Sequence, residues 1–96
     1  MRFEWDEAKD RANRDKHGLS FAEARELFVR GADYLEIFDA EHSDIEERFI
    51  AIGPITRGLV VIVWCEVDED TVRIIGARWA SSSERERYRR YMERQR

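Results

Sequence analysis

Four arginines sit where an antiparallel sheet would gather them. Arg48 opens an apolar segment, Arg57 lies in the turn that follows it, and Arg73 and Arg78 lie within and at the end of Val72–Arg78. Antiparallel order brings strand ends and turns together, so several guanidinium groups could converge on one sheet surface. Such a cluster suits a phosphodiester in phosphoryl transfer. Fixed guanidinium forks match its oxygens bidentately and gain most as charge develops. The plainer reading is that each arginine pairs with one of the abundant acids, and for any single arginine it is the better one. Strand parity sharpens the choice. In an ideal strand Arg78 shares a face with Val72, Ile74 and Gly76, and Arg73 shares the other with Ile75, Ala77 and Trp79. Both can reach one pocket only if the strand bends, and Gly76 is where a bulge could form. Arg78, at a strand end open to a ligand, is the favoured anion contact.

Proton transfer has several candidates. Glu47, just before Arg48, could be a general base for a ribose hydroxyl or could form a plain salt bridge. His17, just before a helix-stop glycine, could be acid or base, although a helix C-terminal cap explains it as well. Tyr88 and Tyr91 could stack a base or donate a proton, and Tyr91 reads better as a helix anchor. Trp79 could be a base platform, with edge-of-core packing the safer reading. Asp39, Glu41, His42 and Asp44 crowd one loop that could hold a cation, but a solvated acidic loop accounts for them more simply. Cys65 lies in an apolar run and reads as a small hydrophobe. No HExxH, CxxC or Gly-rich phosphate loop is present, so neither a metal nor a cofactor is expected.

Helices first, strands next and a helix last must position these groups. Asp6 can cap a helix over Glu7–Lys16, stopped by Gly18. Ser20 and Glu23 form a capping box for a second helix that ends at Gly31, with Leu19 stapled onto Ala24. Strands are predicted at Tyr34–Asp39, Arg48–Gly53, Leu59–Glu66 and Val72–Arg78, the third a continuous apolar run covered on both sides. Both Ser81…Glu84 and Ser83…Glu86 fit a capping box for the last helix. Its narrow stripe of Tyr88, Tyr91 and Met92 is surrounded by Arg85, Arg87, Arg89, Arg90, Arg94 and Arg96. The expected architecture is α+β: two N-terminal helices, a four-stranded antiparallel sheet and a C-terminal helix, with the helices collected on one side.

The 96 residues make one domain, 1–96, with 40% charged residues and a net charge of −4. That balance hides a split. Residues 1–72 hold nine Lys/Arg against eighteen Asp/Glu, whereas residues 73–96 hold eight Arg against three Glu. A basic C-terminal end is a prior for contact with nucleic acid or an acidic protein. No apolar run is long enough to cross a membrane, and the acidic start is unlike a signal peptide. A lone cysteine fits the cytoplasm, the expected location.

The motifs, taken in order, are familiar. Phe3-Glu4-Trp5-Asp6-Glu7-Ala8-Lys9, Asn13, and Lys16-His17-Gly18-Leu19-Ser20-Phe21-Ala22-Glu23-Ala24 resemble the opening of the BrnT toxin family. Asp39 to His42-Ser43, Glu47-Arg48-Phe49-Ile50-Ala51-Ile52-Gly53, Val72-Arg73-Ile74-Ile75-Gly76-Ala77-Arg78 and Glu86-Arg87-Tyr88 keep the family's order. The resemblance covers nearly the whole chain. It implies a RelE-like fold and a metal-independent endoribonuclease, the toxin of a type II toxin–antitoxin system. It also implies a BrnA-like ribbon-helix-helix antitoxin, a heterotetramer with it, and contact with operator DNA only through that partner. The family's basic and aromatic pattern falls on Arg48, Arg57, Arg78 and Tyr88, with Glu47 and His17 also at matching positions. Gly76 stands where Ser is expected and Cys65 where Thr is common.

Two other readings stay open from the residues. One is a non-catalytic interaction module acting with a DNA-binding partner in autoregulation. The other is an RNA-binding domain that uses the C-terminal helix without cutting.

Overall fold

In the computed structural model, which describes residues 1–31 and 33–95, local signals set most element ends. Arg96, counted above among the arginines of the last helix, lies outside the described residues. The Asp6 carboxylate accepts from the backbone N–H groups of Ala8 and Lys9 and starts α1, Glu7–His17. Gly18 stops it in the left-handed conformation at φ 65°, where glycine carries no steric penalty. Ser20 caps the next helix through the Glu23 N–H. That helix is not continuous to Gly31. It divides into α2, Phe21–Ala24, and α3, Glu26–Val29, because the turn tightens at Arg25, whose carbonyl accepts from Phe28 three residues on.

The sheet has five strands rather than four, and it is mixed rather than purely antiparallel. Its order is β1-β5-β4-β3-β2, with β1 Arg2–Glu4, β2 Leu35–Phe38, β3 Phe49–Ile55, β4 Gly58–Asp68 and β5 Thr71–Trp79. The unexpected β1 runs parallel to β5, pairing Phe3 with Val72. Beyond it, α1 covers the rest of the β5 edge. Asn13 Oδ1 accepts from the Ala77 N–H at 3.3 Å, and Asn13 Nδ2 donates to the Leu19 carbonyl at 2.8 Å. The nearly buried Asp10 carboxylate accepts from Phe21 N–H and joins α1 to α2.

Helices cover both faces, which corrects the one-sided expectation. Leu19, Phe21, Ala24 and Leu27 bury the first face against Ala51, Ile55, Val60, Ile62, Trp64, Val72, Ile74 and Ala77. The last helix, α4 (Ser82–Arg94), settles its start at Ser81, which forms a reciprocal capping box with Glu84. Tyr88 packs it on the second face against Ile52, Val61 and Ala80. The second face is only partly covered. Ile50, Val63, Ile75 and Gly76 remain open enough to floor surface clefts.

Candidate active site

A register shift in β5 decides which side chains reach the open face. Cys65 pairs with Arg73, Trp64 with Ile74, and Val63 with Gly76, so Ile75 is an extra residue bulged out of the ladder. Alternation is reset there. Arg78, opposite Val61, therefore joins Arg73, opposite Cys65, on the second face.

Two clefts adjoin on this face, sharing Val63 and Gly76 as walls. The first, about 150 Å³, is lined by Asn13, His17, Val61, Ala77 and Arg78 as well. The second, about 380 Å³, adds Asp39, Glu41, His42, Arg48, Ile50 and Ile75. Arg78 and Arg48 thus border one strip of open sheet, with His17 beside Arg78 and His42 beside Arg48.

The state of each guanidinium group matters more than its presence. Arg78 is paired end-on with Glu84, Nη1 to Oε1 and Nη2 to Oε2 at 2.7 Å each, and Nη1 also approaches the Trp79 carbonyl. The pair holds Arg78 protonated and pulls Glu84 down to about 2, mainly through the hydrogen bond from Arg78 and then through Ser81. End-on pairing leaves the Nε–Nη2 edge, two parallel N–H donors, for another anion. Glu84 therefore closes the first turn of α4 and aims Arg78 at the same time. Arg48 Nε is buried without a hydrogen bond, 3.6 Å from the Glu46 carboxylate.

The expected meeting of three guanidinium groups is not found. Arg57 is held at the junction of α1 and α2. Its Nε and Nη2 fork is filled by Glu23 at 2.5 and 2.7 Å, Nη2 also donates to the Gly18 carbonyl, and its plane lies over the Trp79 ring. Arg73 is on the open face, but Glu4 of β1 fills its Nε–Nη2 fork. Glu47 is exposed in the loop before β3 and lines neither cleft; its neighbour Glu46 faces Arg48 instead. The Tyr88 hydroxyl donates to the Asp33 carbonyl at 3.1 Å, and burial pushes its pKa up. It is Tyr88 that anchors α4. Tyr91 instead lines a groove of about 660 Å³ between α4 and Leu35, with Arg87, Arg90 and Arg94. Trp79 packs at the core edge and donates from Nε1 to the His17 carbonyl. Cys65 is buried and its thiol is pushed up by that burial.

Reasoning from residue types missed two features. Glu84 read only as a capping residue, although its six-residue spacing from Arg78 spans the strand-to-helix corner. Asp39 and His42 read as part of an acidic loop. In the structure they hydrogen-bond each other beside Arg48, and the x-x spacing between them was the available signal. Among the described residues no three His, Cys, Asp or Glu side chains converge as a metal-binding group.

Residues 5–84 match the family described as ribonuclease toxin, BrnT, of type II toxin-antitoxin system. The chain belongs to the BrnT family. Its fold is similar to the 1.1 Å crystal structure of the Brucella abortus ribonuclease toxin BrnT, at 26% identity and a TM-score of 0.63, covering 85% of this chain and 99% of that one. No curated protein matches the chain. As a BrnT-family chain it is a ribonuclease toxin of a type II system, a class that works opposite an antitoxin. Among its described residues no helix is long and apolar enough to cross a membrane.

Proposed function

We propose that this BrnT-family chain is a metal-independent endoribonuclease that cuts RNA by attack of a ribose 2′-hydroxyl on the adjacent phosphate. The observation that carries the reading is the free Nε–Nη2 edge of Arg78, fixed by Glu84 above an open sheet face that Arg48 and His17 also border. A phosphodiester laid across Val63 and Gly76 would be gripped by Arg78 at one end and Arg48 at the other. Both contacts strengthen as the phosphorane gains charge, and each is worth on the order of 3 kcal/mol. The O2′–P bond forms, the P–O5′ bond breaks, and the products are a 2′,3′-cyclic phosphate and a 5′-hydroxyl. His17, lining the Arg78 cleft, serves as one proton carrier. Arg57 and Tyr88 hold the turn and α4 in place rather than touch the phosphate, and Glu47 stands outside the clefts.

The partner this reading supports is a BrnA-like ribbon-helix-helix antitoxin. The two would form a heterotetramer that contacts operator DNA only through the antitoxin. The basic groove of Arg87, Arg90 and Arg94 beside the free edge of β2 is a surface such a partner could cover.

One observation favours the alternative, an interaction module without catalysis. Arg48, Arg57 and Arg78 each have a carboxylate, Glu46, Glu23 and Glu84, within ion-pair distance. Incubation of antitoxin-free protein with RNA in EDTA separates the two. The ribonuclease reading expects fragments ending in 2′,3′-cyclic phosphate and beginning with 5′-hydroxyl. Intact RNA under all conditions, with tight binding to the antitoxin, selects the alternative.

A further inference from the structure

The geometry points to Asp39 and His42 as a proton-transfer dyad on the open face, with His42 Nε2 accepting the proton of the attacking 2′-hydroxyl. This rests on the ribonuclease reading and supplies the base that reading lacks. His42 Nδ1 lies 2.9 and 3.1 Å from the two Asp39 carboxylate oxygens. Asp39 is only 13% exposed, whereas His42 is 62% exposed, so the carboxylate is fixed behind the ring. An acceptor on Nδ1 keeps the hydrogen there and presents Nε2 as the basic nitrogen, the arrangement that orients a histidine for proton abstraction.

The backbone explains why the two meet. Ala40–His42 is a single 3-10 turn, and in that helix residues three apart eclipse. The turn is pinned at both ends independently of the dyad. Ser43 Oγ donates to the Asp39 carbonyl at 2.6 Å and accepts from the Arg48 N–H at 2.9 Å, and Asp39 N–H donates to the Arg48 carbonyl at 2.8 Å. Hence the Asp39–His42 pair is not needed to close the loop. The same bonds fix the dyad relative to Arg48, whose buried Nε has no hydrogen-bond partner and which lines the cleft with both residues. A phosphate held by Arg48 therefore brings a neighbouring 2′-hydroxyl to the histidine. The proton passes from O2′ to Nε2 as O2′ bonds to phosphorus, and the departing O5′ takes a proton from His17 on the Arg78 side. Asp39 touches no reacting atom; it is a positioning residue. Glu41 lines the same cleft and opposes an anion, a cost the two arginines offset.

The experiment uses the full chain and a short single-stranded RNA, with a 2′-O-methyl copy as the uncleavable probe of binding. His42→Ala is expected to cut about 100–10,000-fold more slowly, as loss of a general base does, while binding the methylated RNA as wild type does. Added imidazole should restore part of the rate. His42→Ala should also stay slow on RNA with sulfur in place of the bridging 5′ oxygen, since a good leaving group relieves the need for an acid and not for a base. Asp39→Asn should lower kcat with KM unchanged. Unchanged circular dichroism and denaturation midpoint keep a folding defect out of the comparison, and His42→Gln serves if the alanine variant unfolds. If wild type cuts and His42→Ala cuts within threefold of it, the dyad is overturned and the ribonuclease reading stands. A slow variant that imidazole does not rescue and that recovers on the sulfur substrate also overturns the assignment as base. If wild type cuts nothing, both readings fall.

Discussion

Arg73 and Arg78 face the same side of the sheet although an odd number of positions separates them in one strand. Arg73 stands opposite Cys65 and Arg78 opposite Val61, and both partners lie on one face of β4. The extra residue, Ile75, resets the alternation between them. Without it Arg78 would point into the buried layer where α1 and α2 pack.

Deleting Ile75 is therefore expected to abolish RNA cleavage and to destabilise the fold, because Arg78 and Ala77 exchange sides. Gly76→Ser is the matched control for the backbone. A Cβ at Gly76 meets nothing within 4 Å and its φ is not positive, so stability should change by no more than about 0.5 kcal/mol. Urea denaturation of the two variants checks both halves. A serine variant as unstable as the deletion would mean that Gly76, not the extra residue, shapes the strand.

Much of this arrangement was legible because its signals are local. Asp6 and Gly18 act within one turn and stand as read. Of the two boxes open to the last helix the Ser81–Glu84 one forms, and at Ser20 only the hydroxyl half of the expected box forms, because the Glu23 carboxylate goes to Arg57. The apolar run of β4 declared a central strand, although its second face is covered only in part and Val63 floors the clefts. What could not be read depends on distant partners. Three residues, Arg2–Glu4, carry too little pattern to reveal a strand whose partner, Thr71–Arg73, lies far along the chain. Arg57 sits in a turn, and the direction of its side chain is set by Glu23 and Gly18. Parity foresaw that Arg73 and Arg78 need a bulge to share a face, but only the ladder shows that it exists.

The Arg78–Glu84 pair makes stability depend on acid. Glu84 titrates at about 2 in the fold against 4.5 for a free glutamate, the Arg78 hydrogen bond being the main cause. Its contribution is therefore complete above pH 4.5 and is lost as pH falls toward 2. Solvent screening at this surface limits it to about 1–2 kcal/mol. Glu84→Gln should be less stable than wild type by that amount at pH 7, and the gap should close in denaturation curves taken between pH 4.5 and 2. A gap that persists at pH 2 would assign the effect to the helix cap alone.

Gly53 lies directly beneath Leu27 of α3 and beside Tyr34. A Cβ there would lie 2.6 Å from Leu27 Cδ1 and 2.7 Å from Tyr34 Cβ. Leu27 is fully buried and Gly53 sits inside β3, so neither can yield freely. Gly53→Ala should cost about 1–3 kcal/mol, read as a lower urea midpoint with an unchanged slope. Full stability would show that α3 can lift off the sheet without loss.

Arg57 and Arg78 offer the sharpest division of labour. Each is bound by one glutamate, but the bound edges differ. Glu23 takes the Nε–Nη2 edge of Arg57, while Glu84 takes the Nη1–Nη2 edge of Arg78. A phosphate can add to Arg78 without displacing its carboxylate, whereas at Arg57 it must evict Glu23 first. Arg57→Ala should accordingly lower the melting temperature, because it frees the β3–β4 turn from Gly18, Glu23 and Trp79, and leave the cleavage rate of the folded protein near wild type. Arg78→Ala should do the reverse, slowing cleavage about 100-fold or more with a smaller change in melting. Rates measured well below both melting temperatures make the comparison. Equal losses of activity would place Arg57 on the phosphate and require Glu23 to let go when RNA binds.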